Sequence, residues 1–169
     1  MPQDTAGDAE RANLDFAFID ASMLASRMHL LTAVTQALVA KSDGALKTKT
    51  VHSEVLWCLE PGSNITDSLK HFGLGPTTKS LVLVRIDSRG VEAPASVLQR
   101  MSQLVEGEPA PLDLLGQLPE NGTNDKSLRK VYKLNNDAVL KAADSTSESG
   151  RQVLDKLCTS AVALKTAAA

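Results

Sequence analysis

A chain of 169 residues is long enough to bury a sizeable core without disulfides or a structural metal. Its 18 Lys plus Arg are matched by 20 Asp plus Glu, for a formal charge of -2, which excludes a global electrostatic footprint for nucleic acid or membrane and leaves room only for local basic surface. Aromatic residues make up 3%, too few for base-stacking platforms, so the core is expected to be aliphatic.

The segment Met1 to Asn13 is polar and acidic, with no basic stretch or apolar run of a secretory signal, and is expected to be flexible. A single domain is expected over 14–166. Cys58 and Cys158 lie in apolar segments without CxxC spacing, which points to buried, reduced thiols in a nuclear or cytosolic protein. No apolar run approaches the roughly 18 residues of a membrane span.

Leu14, Phe16 and Phe18 alternate with Asp15 and Ala17, the pattern of a half-buried strand near 14–20. Ser22 is placed to cap a helix near 23–41, with Leu24, Met28, Leu31, Thr35 and Leu38 on its inward stripe and Leu30, Val34 and Ala37 widening it. Lys41 to Val51 reads as a polar, mobile connector. The nearly continuous apolar run Glu54 to Leu59, which holds the single tryptophan, predicts a strand near 53–59 covered on both faces. Asn64 then caps a helix over 65–72, Gly73 and Pro76 stop it, and Leu81 to Ile86 predicts a third strand near 80–86.

The second half reads as helical: Pro94 opens a helix near 94–106, a short helix fits between Pro111 and Pro119, and Asn124 or Asp125 caps one near 125–134. A turn over 137–143 follows. Ser145-Thr146-Ser147-Glu148 has capping-box spacing for a last helix near 146–165. The fold class is therefore α+β (mixed α/β), a small three-to-four-stranded sheet packed with helices.

Chemistry is sparse. His29, His52 and His71 fall in separate elements without metal-ligand spacing, no serine sits in a G-x-S-x-G elbow, and Gly73-Leu74-Gly75-Pro76 lacks the ending of a phosphate loop. No catalytic residue, cofactor, metal or small-molecule substrate is expected. Lys126, Lys130 and Lys133, at i, i+4 and i+7 with Arg129 beside them, form a basic stripe that suits phosphates, so a stand-alone RNA-binding module is one functional reading. The last helix carries Val153, Leu154, Leu157, Ala161 and Leu164 on one side, for the core or for a partner.

The segment HSEVLWCLEPGSNITDSLKHFGLGPTTKSLVLVRI, the upstream run Arg27 to Val34 and the later Leu128 to Leu134 together resemble the TPRKB-like family, the kinase-binding subunits of the KEOPS (EKC) complex. The similarity extends from about Phe16 to Ala161, and the polar N-terminus and loop lengths point to a fungal member. The resemblance implies a non-catalytic subunit that binds and modulates a small atypical kinase/ATPase. It further implies help in recruiting tRNA, through the single-stranded CCA end, for threonylcarbamoyl modification of adenosine next to the anticodon. Links to telomere maintenance and transcription follow, with a place in nucleus and cytoplasm, including telomere-associated chromatin. On that reading the last helix (Val153, Leu157, Leu164) and the turn after Phe72, with Leu74, would dock the kinase, while Lys126, Arg129, Lys130 and Lys133 would face tRNA.

Overall fold

The computed structural model describes residues 15–87, 94–117, 122–143 and 147–166. The acidic segment 1–13, Arg89 and Gly90, Pro119 and Asn121, Ser145 and Thr146, and the alanines 167–169 lie outside the described residues.

Strands β1 (Ala17–Asp20) and β2 (Leu81–Val84) pair antiparallel, with Ala17 opposite Val84, Phe18 opposite Leu83 and Ile19 opposite Val82. Alternation turns Ala17 and Ile19 into the core and Phe18 to the other face. Seven α-helices are seen among the described residues: α1 (Arg27–Ser42), α2 (Val51–Leu59), α3 (Ile65–Phe72), α4 (Pro94–Leu104), α5 (Asp125–Val131), α6 (Ala138–Ala142) and α7 (Glu148–Lys165). The α+β class stands, but among the described residues the sheet has two strands.

The expected strand near 53–59 is α2. Thr50 accepts from the Ser53 N–H (3.1 Å) while the Ser53 hydroxyl accepts from the Thr50 N–H (3.2 Å), a reciprocal cap that starts a helix where periodicity gave no warning. Helix α2 is packed by α1, α3, α7 and β1, and every residue but Ser53 is buried. A helix buried on all sides shows no polar face, so its sequence looks like that of a two-faced strand.

Helix α1 also departs from expectation. A 3-10 turn over Ala21–Met23, capped by the Asp20 carboxylate accepting from the Ser22 N–H at 2.9 Å, precedes it, and Ser26 caps α1 by accepting from the His29 N–H at 3.1 Å. Its buried face is His29, Leu30, Ala33 and Ala37, whereas Met28, Leu31 and Leu38 of the expected inward stripe face solvent. Two alanines on the inner face let the backbones of neighbouring helices come close, which bulky Met and Leu would prevent. Helix α3 follows the sequence closely, with Asn64 accepting from the Thr66 N–H (2.9 Å) and no room for a side chain at Gly73 beside the Leu69 carbonyl oxygen, whereas α7 begins at Glu148 and is capped by Ser147, not by the expected box from Ser145 to Glu148. Ser147 caps α7 by accepting from the Gly150 N–H (3.1 Å). The expected helix between Pro111 and Pro119 is only a 3-10 turn over Leu112–Leu114.

The aliphatic core encloses a polar chain. The Ala25 N–H donates to His29 Nδ1 (3.2 Å), His29 Nε2 lies 2.8 Å from the Tyr132 hydroxyl, and that hydroxyl donates to the Leu59 carbonyl at 2.5 Å. These directions fit one tautomer, neutral and protonated on Nε2. Burial pushes the His29 pKa down to about 4, against a weaker upward pull from Asp155. Buried Glu54 likewise has its carboxylate filled, accepting from the N–H of Lys47 and Thr48 (3.0 and 2.8 Å) and from the Thr48 hydroxyl (2.7 Å). The connector before α2, expected to be mobile, is thus fastened to α2 itself.

Replacing Tyr132 by Phe leaves the Leu59 carbonyl and His29 Nε2 without partners and should lower unfolding free energy by about 1–3 kcal/mol in urea titrations. Acid should weaken the fold for a related reason. Between pH 6.5 and about 4 the unfolded imidazole of His29 binds a proton that the folded one refuses, so its stability contribution is full above 6.5 and falls as pH drops. The total loss is on the order of 3 kcal/mol, and ¹⁵N shifts of the His29 ring should still report the neutral Nε2–H tautomer at pH 5.5.

Candidate functional site

The residues expected to meet a kinase divide sharply by exposure. Phe72 is fully buried, edge-on to Tyr132 with ring centroids 6.3 Å apart, so it shapes the scaffold and offers a partner no surface. Val153 and Leu157 are half-buried against the core, while Leu74 (45% exposed) and Leu164 (62%) stand in solvent. On α7, Asp155 accepts from the Ser26 hydroxyl (2.6 Å), and the Ala163 carbonyl and Thr166 hydroxyl bond Gln36 (3.2 and 2.6 Å), which fixes the face turned toward α1. Val153, Leu157 and Leu164 share a different flank of the helix.

The basic stripe is shorter than its spacing promised. Helix α5 stops at Val131, and Leu134 N–H donates to the Arg129 carbonyl (2.8 Å) and Lys133 N–H to the Lys130 carbonyl (3.2 Å), a Schellman closure that puts Lys133 at φ +57°. Lys126 and Lys130 remain as exposed neighbours on the helix, and Lys133, also exposed, leaves it in the left-handed region. Arg129 is half-buried and acts on Asp125, whose pKa burial raises and Arg129 and Arg151 pull back down.

Titratable groups elsewhere are tied into the scaffold. His52 Nε2 accepts from the Ile86 N–H (2.9 Å) and its Nδ1 stands 2.7 Å from the Asp15 carboxylate, which continues the β1–β2 ladder by a side chain. Burial lowers its pKa, with Asp15 opposing and Arg85 assisting. Cys58 and Cys158 are free and buried, and burial pushes both thiols up to about 12, away from nucleophilic use. His71 Nδ1 lies 2.7 Å from Glu60. Among the described residues no group of three or more His, Cys, Asp or Glu could hold a metal ion, and no helix is long and apolar enough to cross a membrane.

One cation outside the predicted set has an unusual seat. Lys165, at the end of α7, donates to the carbonyls of Trp57, Glu60 (2.6 Å) and Gly62 (2.8 Å), with its ammonium 3.4 Å from the centroid of the Trp57 ring. It closes the C-terminus of α2, where the helix dipole favours positive charge. Burial pushes its pKa down to about 8, while Cys58, Glu60 and Glu54 pull the other way. Sequence reading missed this lysine because its partners, 103 to 108 residues away, are backbone atoms.

Among the described residues, an apolar helix stripe and a groove face solvent. On α1, Met28 (61% exposed), Leu31, Leu38 and Val39 form an apolar stripe opposite the buried face. Beside the sheet, β1, the first turns of α2, and Leu69 and Leu74 around the end of α3 enclose a groove of about 840 Å³.

These features define a small α+β protein whose buried polar groups are spent on its own architecture and which exposes apolar side chains on α1 and around the groove. The chain belongs to the family described as kinase binding protein CGI-121, whose model matches residues 5–166. It is 36% identical over 125 residues to the EKC/KEOPS complex subunit cgi121 of Aspergillus fumigatus, covering 73% of this chain and 64% of that protein. It is 36% identical over 146 residues to the subunit of the same name from Aspergillus terreus (86% and 72%). To the EKC/KEOPS complex subunit CGI121 of Yarrowia lipolytica it is 42% identical over 118 residues (70% and 63%). The matched region therefore spans just under two thirds of the A. fumigatus and Y. lipolytica proteins.

Substituting Lys165 by Met keeps the stem and removes the charge. It should cost on the order of 2 kcal/mol and speed amide exchange in the last turn of α7 and near Trp57, with α3 amides little changed.

Proposed function

We propose that this chain is a non-catalytic subunit of an EKC/KEOPS complex that binds and modulates the small atypical kinase/ATPase of that assembly. The observation that carries the reading is the α1 stripe. Met28, Leu31, Leu38 and Val39 face water although the inner face of the same helix is already filled, and an apolar strip of this kind on a helix suits a protein partner. Leu164 and Leu74 add exposed apolar area on α7 and after α3. A standard interface would bury about 1,600 Å² in total. The family match and the EKC/KEOPS names of the relatives support the same partner.

Within the assembly the chain helps bring tRNA, by its CCA end, to threonylcarbamoyladenosine formation, working in nucleus and cytoplasm and at telomere-associated chromatin. Exposed Lys126, Lys130 and Lys133 supply the local positive charge for phosphate contacts. The short helix under them favours an assisting role over a self-sufficient RNA-binding module.

Wild-type chain and the purified kinase should co-migrate on size exclusion, and Leu31→Asp, on an already exposed site, should weaken the pair by roughly thirtyfold without lowering the melting temperature. Absence of wild-type co-migration would refute kinase binding. Within the reconstituted complex, Lys126→Ala plus Lys130→Ala should weaken tRNA binding and flatten its salt dependence by about two slope units, and a tRNA lacking CCA should bind less well.

A further inference from the structure

The groove beside β1 has a wall made of strand edge. Among the described residues β1 pairs on one side only, with β2. The Ala21 N–H donates to the Ser80 carbonyl at 3.0 Å, and with the register Ile19 opposite Val82 and Ala17 opposite Val84 this fixes which residues spend their backbone groups on β2. Ala17 and Ile19 point theirs toward β2, and Phe18 points its N–H and C=O the other way. Among the described residues nothing hydrogen-bonds to the backbone of Phe16 or Phe18, and both line the groove.

The opposite wall is apolar and open, with Leu69 52% and Leu74 45% exposed and Leu56 at the floor. A strand edge facing a helical wall across a cleft offers main-chain hydrogen bonds on one side and side-chain pockets on the other, the two requirements of strand addition. Charge narrows the occupant further. Asp15 and His52 are the titratable groups among the residues lining the groove; Asp15 is half-exposed, and burial favours the neutral form of His52. The cations nearest the groove, Arg85 and Arg100, sit against the Phe16 ring (5.3 and 5.8 Å from its centroid) and do not line it. The half-exposed Asp15 carboxylate is therefore the charge that the walls present, which suits a neutral chain or one with a basic residue beside Asp15 better than a phosphate backbone.

We infer that the free edge of β1 is a docking site for an extended peptide segment of a partner protein, neutral to basic, with apolar residues at alternate positions, which adds to β1 as a third strand. The volume of about 840 Å³ accommodates a short stretch, and at about 3.4 Å rise per residue four or five residues match the length of β1. This site is separate from the α1 stripe and does not rest on the kinase-binding reading.

The test uses the full chain. A phage-displayed library of random decapeptides is selected on it, a recovered peptide is synthesised, and amide hydrogen exchange is followed with and without that peptide. Without peptide the Phe18 amide should exchange fast and the Ile19 amide slowly; with peptide the Phe18 amide should become protected. Phe18→Pro deletes the outward donor while sparing the β1–β2 ladder and should weaken binding roughly tenfold or more. Leu74→Asp, on the exposed rim, should do the same with no effect on folding, which keeps the test valid if the proline variant is unstable. Selected peptides should show alternating apolar residues and few acidic ones. The inference is overturned if no recovered peptide protects Phe18. It also fails if that amide is already protected in the free full chain, or if a ten-residue oligouridylate occupies the groove in preference to peptide.

Discussion

The fold depends on the near-complete burial of α2, all of whose residues but Ser53 are buried. A helix normally leaves one side and both ends in water, where solvent satisfies the first N–H and last C=O groups. Helix α2 has α1, α3, α7 and β1 around it, so its ends and polar side chains must be satisfied by the protein. Each demand recruits a particular segment. At the N-terminus Thr50 and Ser53 cap reciprocally, and the Glu54 carboxylate accepts from three donors, the Lys47 and Thr48 N–H groups and the Thr48 hydroxyl. At the C-terminus Tyr132, just beyond α5, donates to the Leu59 carbonyl, and Lys165 from α7 donates to those of Trp57 and Glu60. Segments more than 70 residues away are thus positioned by the same helix end.

The same burial explains what could be read in advance. Asn64 and Gly73 act locally, through a cap and a close approach within one helix, so α3 was legible to the residue. The run Glu54 to Leu59 was not, because total burial erases the polar face that separates a helix from a strand. The discriminating signal was the T-x-x-S box at Thr50 and Ser53, which precedes the apolar run and resembles ordinary loop composition. Helix α1 poses a different ambiguity: its sequence holds two apolar stripes, and size decides between them. Ala33 and Ala37 go inside since α2 and α7 must both come close, which leaves Met28, Leu31 and Leu38 for solvent. Of the candidate contact residues, Phe72 lies edge-on to Tyr132 in the core and leaves only the turn after it exposed, and the lysine stripe is cut short by the Schellman turn at Lys133, neither of which the spacing of residues along one helix reveals.

A division of labour follows from these assignments. Histidines 29 and 52, both cysteines, Glu54 and Lys165 would each attract attention as chemistry in isolation. All are tied to the scaffold by hydrogen bonds, burial or both, and the shifted proton affinities of the two histidines, the two cysteines and Lys165 record that service. Perturbed ionisation marks functional sites only when the perturbed groups converge on accessible space. Here His29, Cys58 and Lys165 gather around one buried helix, and His52 alone of the perturbed groups reaches the groove, where its ring is held by the Ile86 N–H and the Asp15 carboxylate.

Binding on α1 is also placed to influence the scaffold. Helix α1 packs against both α2 and α7, and its contacts with α7 run from Ser26 on Asp155 at one end to Gln36 on Ala163 and Thr166 at the other. A partner that binds only the folded chain raises its stability by RT ln(1 + [L]/Kd), about 2.7 kcal/mol at a hundredfold excess over Kd. Opening the C-terminal turn of α7 breaks the Gln36 contacts and also frees Lys165 from the end of α2. A partner that fixes α1 in its packed position therefore makes that opening rarer, and the order it imposes extends to the end of the buried helix on which the fold is built.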